Sequence, residues 1–170
     1  MAELTIRHAR LDDLPRLTEI YNHYIRSSHA TFDERLLEPE DRRGWLQAYR
    51  ETGPHRLLVA EREQDVIGYA SSNRYREHPA FDATIETSAY VDPSAVGQGV
   101  GRALYGALFA AIRGEDLHRA LAGIALPNPA SIALHERFQF RRVGVFDQYA
   151  RKSAQRISSL WMEKALDGAW

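Results

Sequence analysis

A single α/β domain, with a mixed central sheet of about six to seven strands flanked by about four helices, is the fold the sequence predicts. Short apolar runs rich in β-branched residues alternate along the chain with longer stretches of helical periodicity. Neither an internal repeat, a low-complexity tract nor a linker interrupts that alternation, so residues 1–170 read as one domain. Midway, a loop with glycine at every second position, Gly97-Gln98-Gly99-Val100-Gly101, joins a strand to an amphipathic helix.

Residues 4–8 are the first strand candidate. Asp12 or Asp13 caps the helix after it, Pro15 lies in the first turn where its missing N–H is tolerated, and Leu14, Leu17, Ile20, Tyr21, Tyr24 and Ile25 form one apolar stripe. A second helix is expected from about Pro39 to Gly53-Pro54. Residues 56–61 and 66–71 read as paired strands around the polar turn 62–65. A polar loop, 73–81, leads into a strand over 83–91, and the helix over 99–112 shows Leu104, Leu108, Ala111 and Ile112 on one face. Residues 120–126 form an apolar strand stopped by Pro127. Asn128-Pro129 opens a helix carrying Ile132, Leu134 and Phe138, and 142–146 and 157–164 are the closing strands.

A formal net charge of −1 argues against a general nucleic-acid binder. No apolar run approaches the roughly 20 residues that span a bilayer, and the first residues lack the blocks of a secretory signal. A cytoplasmic protein is expected. The absence of cysteine excludes disulfides, thiolate zinc sites and a cysteine nucleophile. His8, His23, His29, His55, His78 and His118 show no metal-ligand spacing, and His135-Glu136 does not extend to H-E-x-x-H because Gln139 takes the last place; no metal is expected.

The glycine loop aims unpaired backbone N–H groups and the positive end of a helix dipole at one point, which suits a phosphate. It is not a Walker loop, since Gly101-Arg102-Ala103 lacks the lysine. It also fails the dinucleotide fingerprint at Arg102. Taken alone, the glycines read equally well as a tight turn.

With its surroundings, the chain resembles the GNAT superfamily of acetyl-CoA-dependent N-acetyltransferases. Ala89-Tyr90-Val91 before the loop is similar to the family's hydrophobic-Tyr-Val strand end, and the run from Asn128-Pro129-Ala130-Ser131 through Leu134-His135-Glu136 to Phe140 to its second conserved-type stretch. Ile6-Arg7-His8-Ala9, Ile20-Tyr21-Asn22-His23-Tyr24, Thr31-Phe32 and Thr84-Ile85-Glu86-Thr87-Ser88 further resemble the subgroup of phosphinothricin and methionine-sulfoximine acetyltransferases. The resemblance implies that the pantetheine arm of acetyl-CoA pairs with the backbone of Ala89, Tyr90 and Val91. It implies a pyrophosphate held by Gly97, Gln98, Gly99, Val100, Gly101 and Arg102, with Asn128 nearby, and a homodimer. Three positions depart from the pattern. Val96 replaces a polar loop residue, Gln139 replaces a glycine, and Arg156-Ile157-Ser158 stands in place of a Trp-x-Asp run, although Lys152 is retained.

Amine acetylation needs a base for the ammonium and a proton for the departing thiolate. By period two, Thr84, Glu86, Ser88 and Tyr90 share a strand face, and a partly desolvated Glu86 is the candidate base. A strand glutamate also serves as an ion-pair partner. His135 stands where many acetyltransferases carry the tyrosine that protonates the thiolate, which makes it the second catalytic candidate by resemblance. Arg74 and Arg76 offer forked hydrogen bonds to an acceptor carboxylate. Thr87 and Ser88 add hydroxyls, and Phe32 an apolar wall. The expected activity is acetyl transfer from acetyl-CoA to the amine of a small amino-acid-like acceptor by direct attack. The alternatives are a different amine or peptide acceptor, or a non-catalytic acyl-CoA sensor.

Overall fold

The computed structural model describes residues 3–167. In chain order its elements are β1 (Thr5–His8), α1 (Leu14–Ser27), α2 (Arg43–Gln47), β2 (Leu57–Arg62), β3 (Asp65–Arg74), β4 (Thr84–Val91), α3 (Val100–Ala111), β5 (Arg119–Ala125), α4 (Pro129–Arg137), β6 (Arg141–Lys152) and β7 (Gln155–Ala165). The seven strands form one sheet in the order β1-β2-β3-β4-β5-β7-β6. Every neighbouring pair is antiparallel except β4 and β5.

Strand alternation sends side chains to two cores. Leu57 and Val59 of β2 join Leu14, Leu17 and Ile20 of α1 and Leu46 of α2 on one face. Leu58 and Ala60 join Leu104 and Leu108 of α3 on the other. A third cluster gathers Ile85, Ala120, Ala122, Ile124, Leu160 and Met162 beneath Phe140. Leu17, Leu104 and Leu108 are wholly shut off from solvent, and each is worth about 1.5–3 kcal/mol of apolar burial.

The parallel pair β4–β5 matters most for function. It is short, running only from Thr84↔Arg119 to Glu86↔Leu121. Beyond Glu86, β4 stays paired with β3 as far as Val91↔Gly68, and β5 stays paired with β7 as far as Ala125↔Ser159. The two central strands therefore part like the arms of a V. The backbone of β4 from Thr87 onward has no strand on that side, although sheet backbone calls for hydrogen-bond partners.

Three expectations need correction. The helix expected from Pro39 to Gly53 is a 3₁₀ turn (Pro39–Arg42) followed by the single short helix α2. Its last turn tightens to three-residue bonds, Ala48 N to Trp45 O and Tyr49 N to Leu46 O at 3.2 Å, and Arg50 N turns away to donate to His55 O at 3.1 Å. The guanidinium of buried Arg56 holds the loop that follows, taking the carbonyls of Glu51 and of Gly53 (2.6 Å) and bonding Ala111 O at 3.1 Å. Next, β3 runs on to Arg74, so Asn73 and Arg74 are strand residues rather than loop. Finally, β6 and β7 are longer than their apolar cores, meeting at a tight turn where Ser153 takes a φ of 53°. Among the described residues no helix is long and apolar enough to cross a membrane.

Candidate active site

Glu86 occupies the last rung before β4 and β5 part. Its side chain is half-buried, and burial pushes its carboxyl pKa upward; no neighbouring charge among the described residues offsets that push. A carboxylate without an ion-pair partner at an open fork can accept a proton near neutrality. Asn73 lies directly across the strand from it and donates to Glu86 O at 3.1 Å. Ser88, next on the same face, shares a 2.9 Å hydroxyl contact with Ser71.

Thr87 does not join Glu86 and Ser88, with which it was grouped as an acceptor contact. The strand's alternation turns it to the opposite face, where it is buried near Tyr105 and its hydroxyl donates to Leu121 O at 3.4 Å. His135 is buried on that same side, near Tyr105 and Phe140. Its Nδ1 lies 2.7 Å from Ser131 O, which can only accept, so Nδ1 carries the proton. Nε2 then accepts from the Tyr105 hydroxyl at 2.9 Å. Burial lowers the His135 pKa and raises that of Tyr105, so both are neutral near pH 7. Hydrogen bonds thus run from Ser131 through His135 to Tyr105, whose hydroxyl lies beside Thr87 at the fork. Tyr105 was missed in the sequence, where it reads as one more aromatic on the apolar face of a helix.

Below the fork, the chain turns through Asp92, whose carboxylate accepts from Ser94 N at 2.8 Å and pairs with Arg16. Gly97 and Gly99 follow with φ of 81° and 80°, and Gly99 is the N-cap of α3. Nothing stands within 4 Å of where a Cβ would lie on either, so backbone conformation alone calls for glycine at both. At Gly101 a Cβ would meet Leu134 at 3.4 Å, an ordinary van der Waals contact, so packing does not by itself call for glycine there. The first intrahelical bond is Ala103 N to Gly99 O at 3.0 Å, and the N–H groups of Val100, Gly101 and Arg102 precede it without helical acceptors. Arg102 is exposed at this helix start. Gln98 is turned back, bonding Ser94 O at 2.8 Å and Arg62 at 2.6 Å, and Val96 is exposed. The Oδ1 of Asn128 accepts from Ser131 N at 3.1 Å as the N-cap of α4.

The open edge of β4 and this row of N–H groups lie in one continuous stretch of chain. An extended amide-bearing arm ending in a pyrophosphate fits both. The first needs a strand-like partner, and the second an anion. Among the described residues no group of three His, Cys, Asp or Glu is placed to hold a metal.

On the Glu86 face, a cavity of about 310 Å³ is lined by residues including Tyr21, Arg42, Trp45, Tyr69, Asn73 and Ser88. Neither Arg74 nor Arg76 lines it. Arg74 pairs with Asp82 at 2.6 Å on the surface, while exposed Arg76 lies over the rings of Tyr75 (5.0 Å) and Phe81 (5.4 Å) with no carboxylate partner among the described residues. Phe32 is partly exposed, edge-on to Tyr149. Its loop is fastened by Lys152, whose ammonium donates to Ser28 O at 2.7 Å and Thr31 O at 2.9 Å. Sequence reading kept Lys152 but did not connect it to this loop, more than 100 residues away; only the β6–β7 hairpin brings the two together.

The chain is similar to known proteins. Residues 15–140 match the Acetyltransferase (GNAT) family. A phosphinothricin N-acetyltransferase of Streptomyces coelicolor is 47% identical, covering 97% of this chain and 98% of that relative. An L-methionine sulfoximine/L-methionine sulfone acetyltransferase of Salmonella typhimurium is 34% identical over 96% of this chain and 95% of that one. Among solved structures, a GNAT superfamily phosphinothricin acetyltransferase from Sinorhizobium meliloti, in complex with acetyl-CoA, superposes with a TM-score of 0.90 at 28% identity, covering 96% and 88% of the two chains.

Proposed function

Because the chain belongs to the acetyltransferase (GNAT) family, we propose that it transfers an acetyl group from acetyl-CoA to the α-amine of a small amino-acid-like acceptor by direct attack. Phosphinothricin and methionine sulfoximine or sulfone, the compounds in the names of its relatives, are the first acceptors to test. The observation that carries the reading is Glu86: a half-buried carboxyl with a raised pKa and no ion-pair partner, at the rung where the two central strands separate.

When bound, acetyl-CoA supplies the activated acyl group. The backbone of Ala89, Tyr90 and Val91 pairs with its amide-bearing arm. The N–H groups from Gly97 to Arg102 hold its pyrophosphate, with the Asn128 side chain free to donate through Nδ2. Glu86 takes the proton from the acceptor ammonium, directly or through one water. His135, neutral, holds the Tyr105 hydroxyl on the sheet face opposite Glu86, beside the departing sulfur, which takes the second proton of the acceptor amine. Arg76 receives the acceptor carboxylate, with Arg74 beside it once it leaves Asp82. Ser88 and Phe32 line the acceptor.

A second copy of the chain covers the edge strand β6, where Val143, Val145, Phe146 and Tyr149 are all at least half exposed. Sedimentation shows a homodimer on this reading and a monomer against it. The enzymatic reading is tested by CoA release over a panel of amines. Turnover with α-amino acids supports it; acetyl-CoA binding with no release to any amine makes the protein a sensor instead.

A further inference from the structure

Arg42 has no part in the chemistry described so far, yet it is the cation of a cavity that Asp33 and Asp41 also line. Only 6% of it is exposed, and among the described residues no carboxylate pairs with it. Its Nη1 donates to Leu17 O at 2.8 Å and its Nη2 to Tyr69 Oη at 3.3 Å, which uses two of a guanidinium's five N–H donors. The guanidinium carbon lies 3.8 Å from the centre of the Trp45 ring and 4.6 Å from that of Tyr21. Aromatic faces offset part of the cost of burying a cation, but a buried charge ordinarily has a counter-charge. The two carboxylates that line the same cavity are engaged elsewhere. Asp33 accepts from Tyr21 Oη at 2.7 Å, and Asp41 accepts from Arg35 at 3.0 Å and from Glu38 N at 2.8 Å.

The cavity's position gives this a use. Ser88, in its wall, lies on the same face of β4 as Glu86, about 7 Å along the strand, and Asn73, also in its wall, is the cross-strand partner of Glu86. Arg74 and Arg76 lie beyond Glu86 in the other direction, where Arg74 pairs with Ile85. An amino acid with its α-amine at Glu86 and its carboxylate toward Arg76 therefore sends its side chain into the cavity. Room of about 310 Å³ suits a tail of a few heavy atoms.

We propose that Arg42 is a specificity residue of this site, reading an oxygen with negative charge, or the negative end of an S–O or P–O bond, at the tip of the acceptor's side chain. The inference rests on the function proposed above. It narrows the acceptors to amino acids with an oxo-bearing tail, for which Arg42 supplies donors and the ligand supplies the missing counter-charge.

The test compares kcat/KM for phosphinothricin, methionine sulfone and methionine, the last of similar length with a bare thioether. The unaltered protein should favour the two oxo acceptors by about tenfold or more. Arg42→Met should remove that preference while changing the methionine value by less than about threefold, and Arg42→Lys should keep part of it. A purely structural Arg42 would lower all three values together, and that result overturns the proposal. So does an unaltered protein that uses methionine as well as its sulfone, a result that needs no variant to fold. Failure to acetylate any amino acid would instead overturn the function itself.

Discussion

Replacing Lys152 with methionine tests whether the loop carrying Phe32 is held in place from the far end of the chain. The ammonium is buried, at 8% exposure, and donates to two backbone carbonyls, Ser28 O and Thr31 O. Burial is the main influence on it and lowers its pKa, while Asp33 and Glu34 act in the opposite sense. Hydrogen bonds from a charged donor are worth about 1.5–3 kcal/mol each, and the methionine would leave both carbonyls without that donor. Relief from burying the charge offsets part of this, leaving a net loss of about 2–4 kcal/mol. At about 2–4 °C per kcal/mol for a chain of this size, the melting temperature falls by roughly 5–15 °C. Urea unfolding at 25 °C gives the free energy, and acceptor KM measured on the folded variant gives the consequence for the site. We expect KM for the acceptor to rise while the affinity for acetyl-CoA holds, because the loop borders the acceptor side only. A stability change below about 0.5 kcal/mol, within the range of ordinary surface substitutions, would refute the reasoning.

Three further substitutions probe the rest of the framework. Gly99→Ala forces a side chain onto a φ of 80°, costing about 1–2 kcal/mol by thermal unfolding and weakening acetyl-CoA binding by calorimetry. Gln139→Gly should have the opposite sign: Gln139 holds a φ of 65° just past α4, so glycine there should raise stability by up to about 1 kcal/mol in urea titration. Tyr105→Phe removes the hydroxyl that donates to His135 Nε2. It should cost about 1–3 kcal/mol through the unsatisfied buried nitrogen, and NMR of the imidazole should show Nε2 losing its hydrogen bond.

The sheet was largely legible because its strands obey simple periodicity: Leu57 to Ala60 alternate between two cores, and residues 120–125 form an apolar run between two helices. Glu86 was legible through the family resemblance, since a strand glutamate read alone is more often an ion-pair partner. The V-shaped fork could not be read from residues, because nothing in the local sequence of 87–91 says where pairing with a strand 30 residues onward stops. Thr87 was misplaced by grouping neighbours in sequence, although the period of two already sets it opposite Glu86. Arg42 hid within the charged run Glu40-Asp41-Arg42-Arg43, where only its spacing of three from Trp45 hinted at a shared helix face. The Pro39–Gly53 helix was overextended because Arg50 N leaves the helix for His55 O, a pairing that no pattern within 48–53 signals.

The most direct measurement is the pH dependence of kcat/KM for acetylation of phosphinothricin by the unaltered chain and by Glu86→Gln. Burial raises the Glu86 pKa, so the neutral acid persists above the usual carboxylate range, and the base form gains as pH climbs through that raised value. The unaltered protein should therefore show an acidic limb displaced upward, above the ordinary carboxylate region. Glu86→Gln should lose both that limb and at least about a hundredfold in rate. A glutamine variant that keeps the same limb and turns over at a comparable rate would contradict the assignment of Glu86 as the group that takes the proton.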